Sequence, residues 1–136
     1  IAQSFFQFKP AFGRQEIVRY RNRTVQLFLS KNPTSFNQSY ITMKKLHAKF
    51  LLIVLNDRIP DGRDVSWIWD VDLPQLHQFK KILIAGDRVY DMALRIKYDL
   101  GITEFETRVK TYEDLREAIT DGVSLLTKKE TFFQNP

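Results

Sequence analysis

The sequence has no cysteine. That excludes a disulfide framework, a thiolate nucleophile and a cysteine-ligated zinc within this chain. Histidine is almost as scarce. His47 and His77 stand apart from each other and from any serine–aspartate arrangement, and each reads as a surface or core side chain rather than a catalyst. There is no Walker A sequence, no G-x-G-x-x-G and no G-x-S-x-G, so the usual phosphate cradles and nucleophile elbow are missing. No apolar run approaches the roughly 20 residues that span a bilayer; the longest is Phe50–Leu55. The first residues lack the charged end and apolar run of a secretory signal. No RRM, KH or helix-turn-helix signature is present. The chain starts at Ile1 rather than Met, which reads as a piece of something longer.

What is there suits one folded domain. The 136 residues are 43% hydrophobic and 27% charged, and eleven phenylalanines supply apolar area to bury. The net charge of +5 is unevenly placed. Residues 1–49 hold nine Lys/Arg against the single acid Glu16, whereas the remainder holds twelve against fifteen acids. Such a basic segment can meet phosphate, nucleic acid or an anionic membrane surface, or can be a solvated face.

Strands and helices alternate. Glu16–Tyr20 and Thr24–Ser30 read as two strands of a hairpin around Arg21-Asn22-Arg23. Asn32-Pro33 reads as a helix start, with Asn as the cap and Pro in the first turn; Phe36, Tyr40, Met43 and Leu46 follow at helical spacing. The continuous apolar runs Phe50–Leu55 and Lys81–Ala85 read as central parallel strands buried on both faces. Gly86-Asp87 opens a helix whose apolar face is Val89, Met92, Ala93, Ile96 and Leu100, closed by Gly101. Phe105–Val109 is expected to be a third strand. Thr111 with Asp114 resembles a capping box before a helix with Leu115, Ala118 and Ile119 inside and Gly122 at its end. Val123–Leu126 is expected to be a last strand. The pattern is that of an α/β domain, three layers with a mainly parallel sheet. Ligand sites in such sheets lie in loops at the carboxyl ends of strands, here Ser30–Pro33, Asn56–Asp64 and Gly86–Arg88.

The richest chemistry is in NDRIPDGRDVSWIWDVD (56–72), which carries Asp57, Asp61, Asp64, Asp70 and Asp72 beside Trp67 and Trp69. An EF-hand calcium loop needs alternating oxygens and a final Glu, and neither is here. A magnesium site sharing one carboxylate with substrate phosphates, and an acidic turn at Pro60-Asp61-Gly62 packed by the tryptophans, both remain open. Ser30-Lys31-Asn32-Pro33 puts backbone N–H groups at a helix start beside a lysine, which suits an anion or simply a capped helix.

Four blocks together resemble a family: KPAFGRQEIV (9–18), LSKNPTSFNQ (29–38), LLIVLNDRIPDGRDVSWIWDVD (51–72) and AGDRVYDMALRIKYDLG (85–101). In that order they are similar to the C-terminal domain of the MurT family, the Mur-ligase-like subunits of lipid II isoglutaminyl synthase. The resemblance implies a three-layer α/β/α, Rossmann-like Mur ligase C-terminal domain. Residues 1–8 would be a linker from a central ATPase domain, 9–126 the domain itself and 127–136 an irregular tail. The P-loop and four-cysteine zinc ribbon of that central domain are not in this sequence. The end of the chain, SLLTKKETFFQNP (124–136), departs from the Leu-Pro-Thr-Tyr-Thr-like segment usual in the family.

The family's activity, as the resemblance implies it, is ATP-dependent amidation of the D-glutamate α-carboxyl of the lipid II stem peptide, with Mg2+ and with ammonia from a GatD-type glutaminase partner. The setting implied is cytoplasmic, at the inner face of the membrane, with no nucleic acid. Lys31-Asn32-Pro33 stands where Mur ligases have His-Asn-Pro, which makes Asn32, with Lys31, the residues expected near the nucleotide. Asp61 or Asp64 is expected to complete the partner's Cys–His triad, because a carboxylate on the histidine fixes its tautomer and stabilises the imidazolium. No metal ligands are expected in this chain, and the domain alone is expected to be inactive. The competing reading is a non-enzymatic module that binds nucleic acid or anionic membrane through the basic first third.

Overall fold

The computed structural model describes residues 15–20, 23–58 and 64–125. Two strands come first, β1 (Gln15–Tyr20) and β2 (Arg23–Phe28), paired antiparallel from Gln15↔Phe28 to Tyr20↔Arg23. Helix α1 (Pro33–Lys45) follows. Strands β3 (Phe50–Val54), β4 (Lys81–Ala85) and β5 (Val109–Thr111) make a parallel sheet in that order. Helices α2 (Val89–Leu100) and α3 (Ile102–Arg108) join β4 to β5, and α4 (Leu115–Ser124) follows β5.

The side-chain alternation of the strands separates two faces. Leu51, Ile53, Ile82 and Ile84 share one core with Tyr40 and Met43 of α1 and with Met92, Ala93 and Ile96 of α2. Leu83 and Ala85 face the other way, against Tyr112, just past β5, and Ala118 of α4. Helices therefore cover both faces of the sheet, which is the expected three-layer α/β/α arrangement. The fully buried run Ile82–Ala85 is what a central strand requires.

The link from β3 to β4 is not a full helix. It carries two 3-10 turns, Ser66–Asp70 and Leu76–Gln78. Ile68, Val71, Leu73, Leu76 and Phe79 of this link are buried in the same core as α1 and α2. It runs along α1: Trp67 meets Phe36 edge to face at 6.0 Å, Asp72 N donates to Asn37 Oδ1 at 2.8 Å, and the Tyr40 hydroxyl donates to the Pro74 carbonyl at 2.6 Å.

Four expectations fail at the C-terminal end. Residues expected as a strand at Phe105–Val109 are mostly helix, and only Val109–Thr111 joins the sheet. β-propensity is weak against tertiary pairing: Arg108 closes an i,i+4 ion pair with Glu104 and donates to the Phe79 carbonyl at 2.8 Å, which favours the helix. Thr111 is not part of a cap, because it pairs with Ile84 in the sheet. Asp114 caps α4 by itself, its side chain accepting from Arg116 N at 2.9 Å. Gly122 does not end α4, and Val123 is helical rather than a strand residue. Val123 is buried with Ile119 one turn earlier, and that burial outweighs the ~1 kcal/mol helix penalty of glycine. Leu126 and the tail lie outside the described residues.

Candidate functional site

The carboxyl ends of β3 and β4 are held together by the backbone. Leu55 N donates to the Ala85 carbonyl at 3.1 Å, and Arg88 N donates to the Leu55 carbonyl at 2.9 Å. Tyr112 N, just past β5, donates to the Ile84 carbonyl at 2.9 Å. The loops after all three strands thus converge on one edge. Helix α1 joins β3 through a four-residue link and packs along the segment that follows the acidic loop, with Phe36 on Trp67 in its first half and Tyr40 and Lys44 at Pro74 further on.

Gly86 makes the close approach possible. Its φ is +106°, and a Cβ there would sit 2.4 Å from the Leu55 carbonyl oxygen. Only glycine fits both the conformation and the space.

Side chains then clamp the stem of the acidic loop. Asn56 Oδ1 accepts from Asp87 N at 2.9 Å. Arg58 forks onto Asp87, with Nε–Oδ2 at 3.0 Å and Nη2–Oδ1 at 3.3 Å. Arg88 reaches Asp57 at 3.4 Å and Asp91 at 2.7 Å. The Asp91 hydrogen bond, then the charges of Asp91 and Asp57, raise the Arg88 pKa further, so it is a permanent cation. The sequence places Arg58, Asp87 and Arg88 in two of the strand-end loops but does not pair them with one another or with Asp57. Their signal was the Gly-Asp-Arg after a buried strand, facing an Asn-Asp-Arg after its neighbour.

Asp64 closes the far side of the loop. It is exposed, and its Oδ1 accepts from Ser66 N at 2.9 Å, at the start of the 3-10 turn. That backbone hydrogen bond, with the Ser66 side chain second, holds its carboxyl below the usual range. Asp64 is therefore a solvent-facing anion at neutral pH. Asp61 lies outside the described residues. Asp57 is committed to Arg88, and the Asp72 backbone is tied to Asn37. Among the described residues, no group of three or more His, Asp or Glu side chains is gathered as a metal site would gather them.

Asn32 and Lys31 stand exposed at the start of α1. Asn32 Oδ1 accepts from Ser35 N at 2.9 Å, and the Ser35 hydroxyl reciprocates toward Asn32 N at 3.4 Å. The capping expectation is met. This uses the Asn32 oxygen and leaves its Nδ2 as a donor for an acceptor outside the helix. A lysine, an amide donor and a helix N-terminus at a strand-end edge fit the phosphate and ribose of a nucleotide in charge and hydrogen-bonding sense.

The segment after Asp64 is fixed from below. Arg95 of α2 is buried, and its Nε donates to the Ile68 carbonyl at 2.9 Å while Nη2 donates to the Val71 carbonyl at 2.8 Å. Its Nη1 lies 2.7 Å from Asp99 Oδ2, and its guanidinium lies over the Trp69 ring at 5.6 Å. The tryptophans divide the work: Trp67 is half-buried against Phe36, while Trp69 stays largely exposed. Arg95 was missed in the sequence, although a charged residue beside Met92 and Ile96 on an apolar helix face is a legible sign of a buried anchor. Among the described residues, no helix is long and apolar enough to cross a membrane.

Comparison with known proteins adds a family and relatives. A family model described as "MurT ligase C-terminal" matches residues 29–134. The chain is 31% identical over 121 residues to a Staphylococcus aureus (strain COL) protein named lipid II isoglutaminyl synthase (glutamine-hydrolyzing) subunit MurT, covering 87% of this chain and 27% of that protein. It is 34% identical over 122 residues to the protein of the same name from Streptococcus pneumoniae (strain ATCC BAA-255 / R6), covering 88% of this chain and 27% of the relative. The chain thus spans about a quarter of the length of the curated relatives it matches.

Proposed function

The chain belongs to the MurT ligase C-terminal family, and from that premise we propose that it is the C-terminal domain of the ligase subunit of a lipid II isoglutaminyl synthase. The domain occupies residues 9–126 and works only within the larger enzyme, at the cytoplasmic face of the membrane. The reaction is amidation of the D-glutamate α-carboxyl of the lipid II stem peptide. ATP, with Mg2+, supplies the phosphoryl group that activates that carboxylate. Lys31 and Asn32 face the nucleotide from this domain when it closes over the central one. Lys31 offers charge, and Asn32 offers its Nδ2 donor.

The second role is delivered to a partner. A GatD-type glutaminase subunit holds a cysteine and a histidine that release ammonia from glutamine. The loop 57–64 of this chain lends the missing carboxylate, Asp61 or Asp64, to that histidine. The observation that carries this reading is the setting of Asp64: exposed, its carboxylate oriented by the Ser66 N–H, at the end of a loop whose other end is clamped by Arg58–Asp87 and Arg88–Asp57. A histidine-orienting carboxylate must be ionised and held in place.

The test uses the full-length subunit with its glutaminase. Asp61→Asn and Asp64→Asn are compared for glutamine hydrolysis and for amidation driven by added ammonia. One of them is expected to lose ~10²-fold or more of the hydrolysis, as carboxylate removal from a triad does, and to keep the ammonia-driven reaction. Full hydrolysis by both variants would refute the carboxylate transfer. Asn32→Ala is expected to raise the KM for ATP without changing glutamine hydrolysis.

A further inference from the structure

The amino end of the sheet carries charge of one sign. Strands β3 and β4 start side by side, with Phe50 paired to Lys81 and Lys80 N donating to the Lys49 carbonyl at 2.8 Å. Helix α1 ends at the same place, since only residues 46–49 separate it from β3, and its last turn holds Lys44 and Lys45. The stretches KKLHAKF (44–50) and LPQLHQFKK (73–81) therefore meet here. Together they hold five lysines, two histidines and no acid.

These charges are oriented but not cancelled. Lys44 Nζ donates to the Pro74 carbonyl at 3.4 Å and to Gln75 Oε1, and Lys81 Nζ donates to the Thr107 carbonyl at 3.1 Å. All three acceptors are neutral. Lys45, Lys80 and Lys81 are exposed, and Lys44 and Lys49 are half-buried. On the flanking elements Asp99 is paired with Arg95 and Glu104 with Arg108, which leaves Asp72 and Glu106 against the five lysines. The backbone here is set as well. His47 and Gln75, at φ 60° and 62°, are non-glycine residues in the left-handed region, a conformation that persists only where the surroundings fix it.

We propose that this lysine end is the surface by which the enzyme rests on an anionic phospholipid bilayer, an inference that rests on the lipid-linked substrate proposed above. An enzyme whose substrate is held in a bilayer has to reach that bilayer. Clusters of about four to eight basic residues are drawn to phosphate headgroups, and each one near the surface strengthens attachment about fivefold. The direction of the sheet agrees with this. β3 and β4 are five residues long, so their carboxyl ends, with Asp57, Arg58 and Asp87 just beyond, stand about 17 Å from the lysine end. The reacting carboxyl belongs to a stem peptide that projects from the bilayer, and the strand-end loops then face it from the side away from the lipid. A nucleic acid would answer the same charge, but the bilayer is the polyanion that the proposed substrate already requires.

The test uses the full-length subunit with its glutaminase. Lys45→Gln with Lys81→Gln removes two exposed charges, Lys45→Gln alone is the milder variant, and Lys45→Arg with Lys81→Arg keeps both charges; melting curves report folding. Sedimentation with vesicles of mixed phosphatidylglycerol and phosphatidylcholine is compared with sedimentation with phosphatidylcholine vesicles. The unaltered complex is expected to bind the anionic vesicles alone and to leave them as salt rises. The double Gln variant is expected to bind them at least ~10-fold more weakly, and the Arg variant to bind as the unaltered complex does. Amidation of substrate embedded in the anionic vesicles should fall in the Gln variant, while amidation of the same substrate in neutral detergent stays the same. Undiminished binding to anionic vesicles by the folded Gln variants overturns the proposal. So does an unaltered complex that ignores the vesicles and binds an RNA oligonucleotide through these lysines. If the Gln variants lose the vesicles but the unaltered complex amidates no lipid II, the bilayer surface stands and the reading of the substrate falls.

Discussion

Arg95 Nε donates to the Ile68 carbonyl at 2.9 Å, so the helix that covers the sheet also holds the segment that follows the acidic loop. The same guanidinium bonds Val71, pairs with Asp99 and supports Trp69. One buried cation thereby couples the core to the exposed end of the candidate site.

Arg95→Met should destabilise the chain by about 3 kcal/mol, since it leaves two buried carbonyls without a donor. Arg95→Lys should recover only part of this, because an ammonium cannot fork between two carbonyls as a guanidinium does. Urea unfolding with an unchanged slope is the measurement, and Trp69 fluorescence should shift in both variants.

Gly86→Ala should cost at least ~2 kcal/mol from its positive φ alone. The contact with the Leu55 carbonyl adds to this, because rigid backbone cannot move aside as a side chain would. The damage should be local, with amide exchange rising first at Leu55, Asp87 and Arg88, where the two strand ends are tied.

The Arg58–Asp87 pair should contribute little to global stability. Arg58 is 71% exposed, and a double-mutant cycle on such a pair gives below about 1 kcal/mol, falling with added salt. In the assembled enzyme the single variants should nevertheless slow glutamine hydrolysis, because the pair clamps the stem that carries Asp61 and Asp64.

The Asp64 carboxyl should titrate below its ordinary value of about 3.9 when followed by carbon NMR of the chain. Its pKa is lowered on folding, so the folded state holds that proton more weakly than the unfolded state does. The associated stability is present above the unfolded value and fades as the pH falls through the lowered one. Ser66→Ala should raise the titration only part of the way, because the backbone N–H, the larger cause, remains.

The local elements were largely legible. The hairpin, the Asn32 cap, the buried strand β4 and the α2 face to Gly101 all follow from patterns a few residues long; β3, expected to be central, lies at the edge of the described sheet with Val54 exposed, because strand order is set by which strands pair and not by local apolarity. The C-terminal part was not. Phe105, Thr107 and Val109 look like a strand, but the Glu104–Arg108 pair and the bond from Arg108 to Phe79 place most of them in α3. Gly122 looks like a helix end, but buried Val123 carries α4 past it. At the candidate site, the Asn32 cap and the loops that carry Arg58, Asp87 and Arg88 were legible along the chain, whereas the pairings of Arg58 with Asp87, of Arg88 with Asp57 and of Arg95 with Ile68 were not.

The sequence by itself determined the α/β class, the family and the acidic loop, because periodicity, capping and quoted blocks are written along the chain. Only the tertiary structure decided that Arg58 meets Asp87 across 29 positions and Arg95 meets Ile68 across 27. Parallel strands bring their carboxyl ends to one edge only after the connecting helices have packed, and no local pattern records which distant charges then face each other.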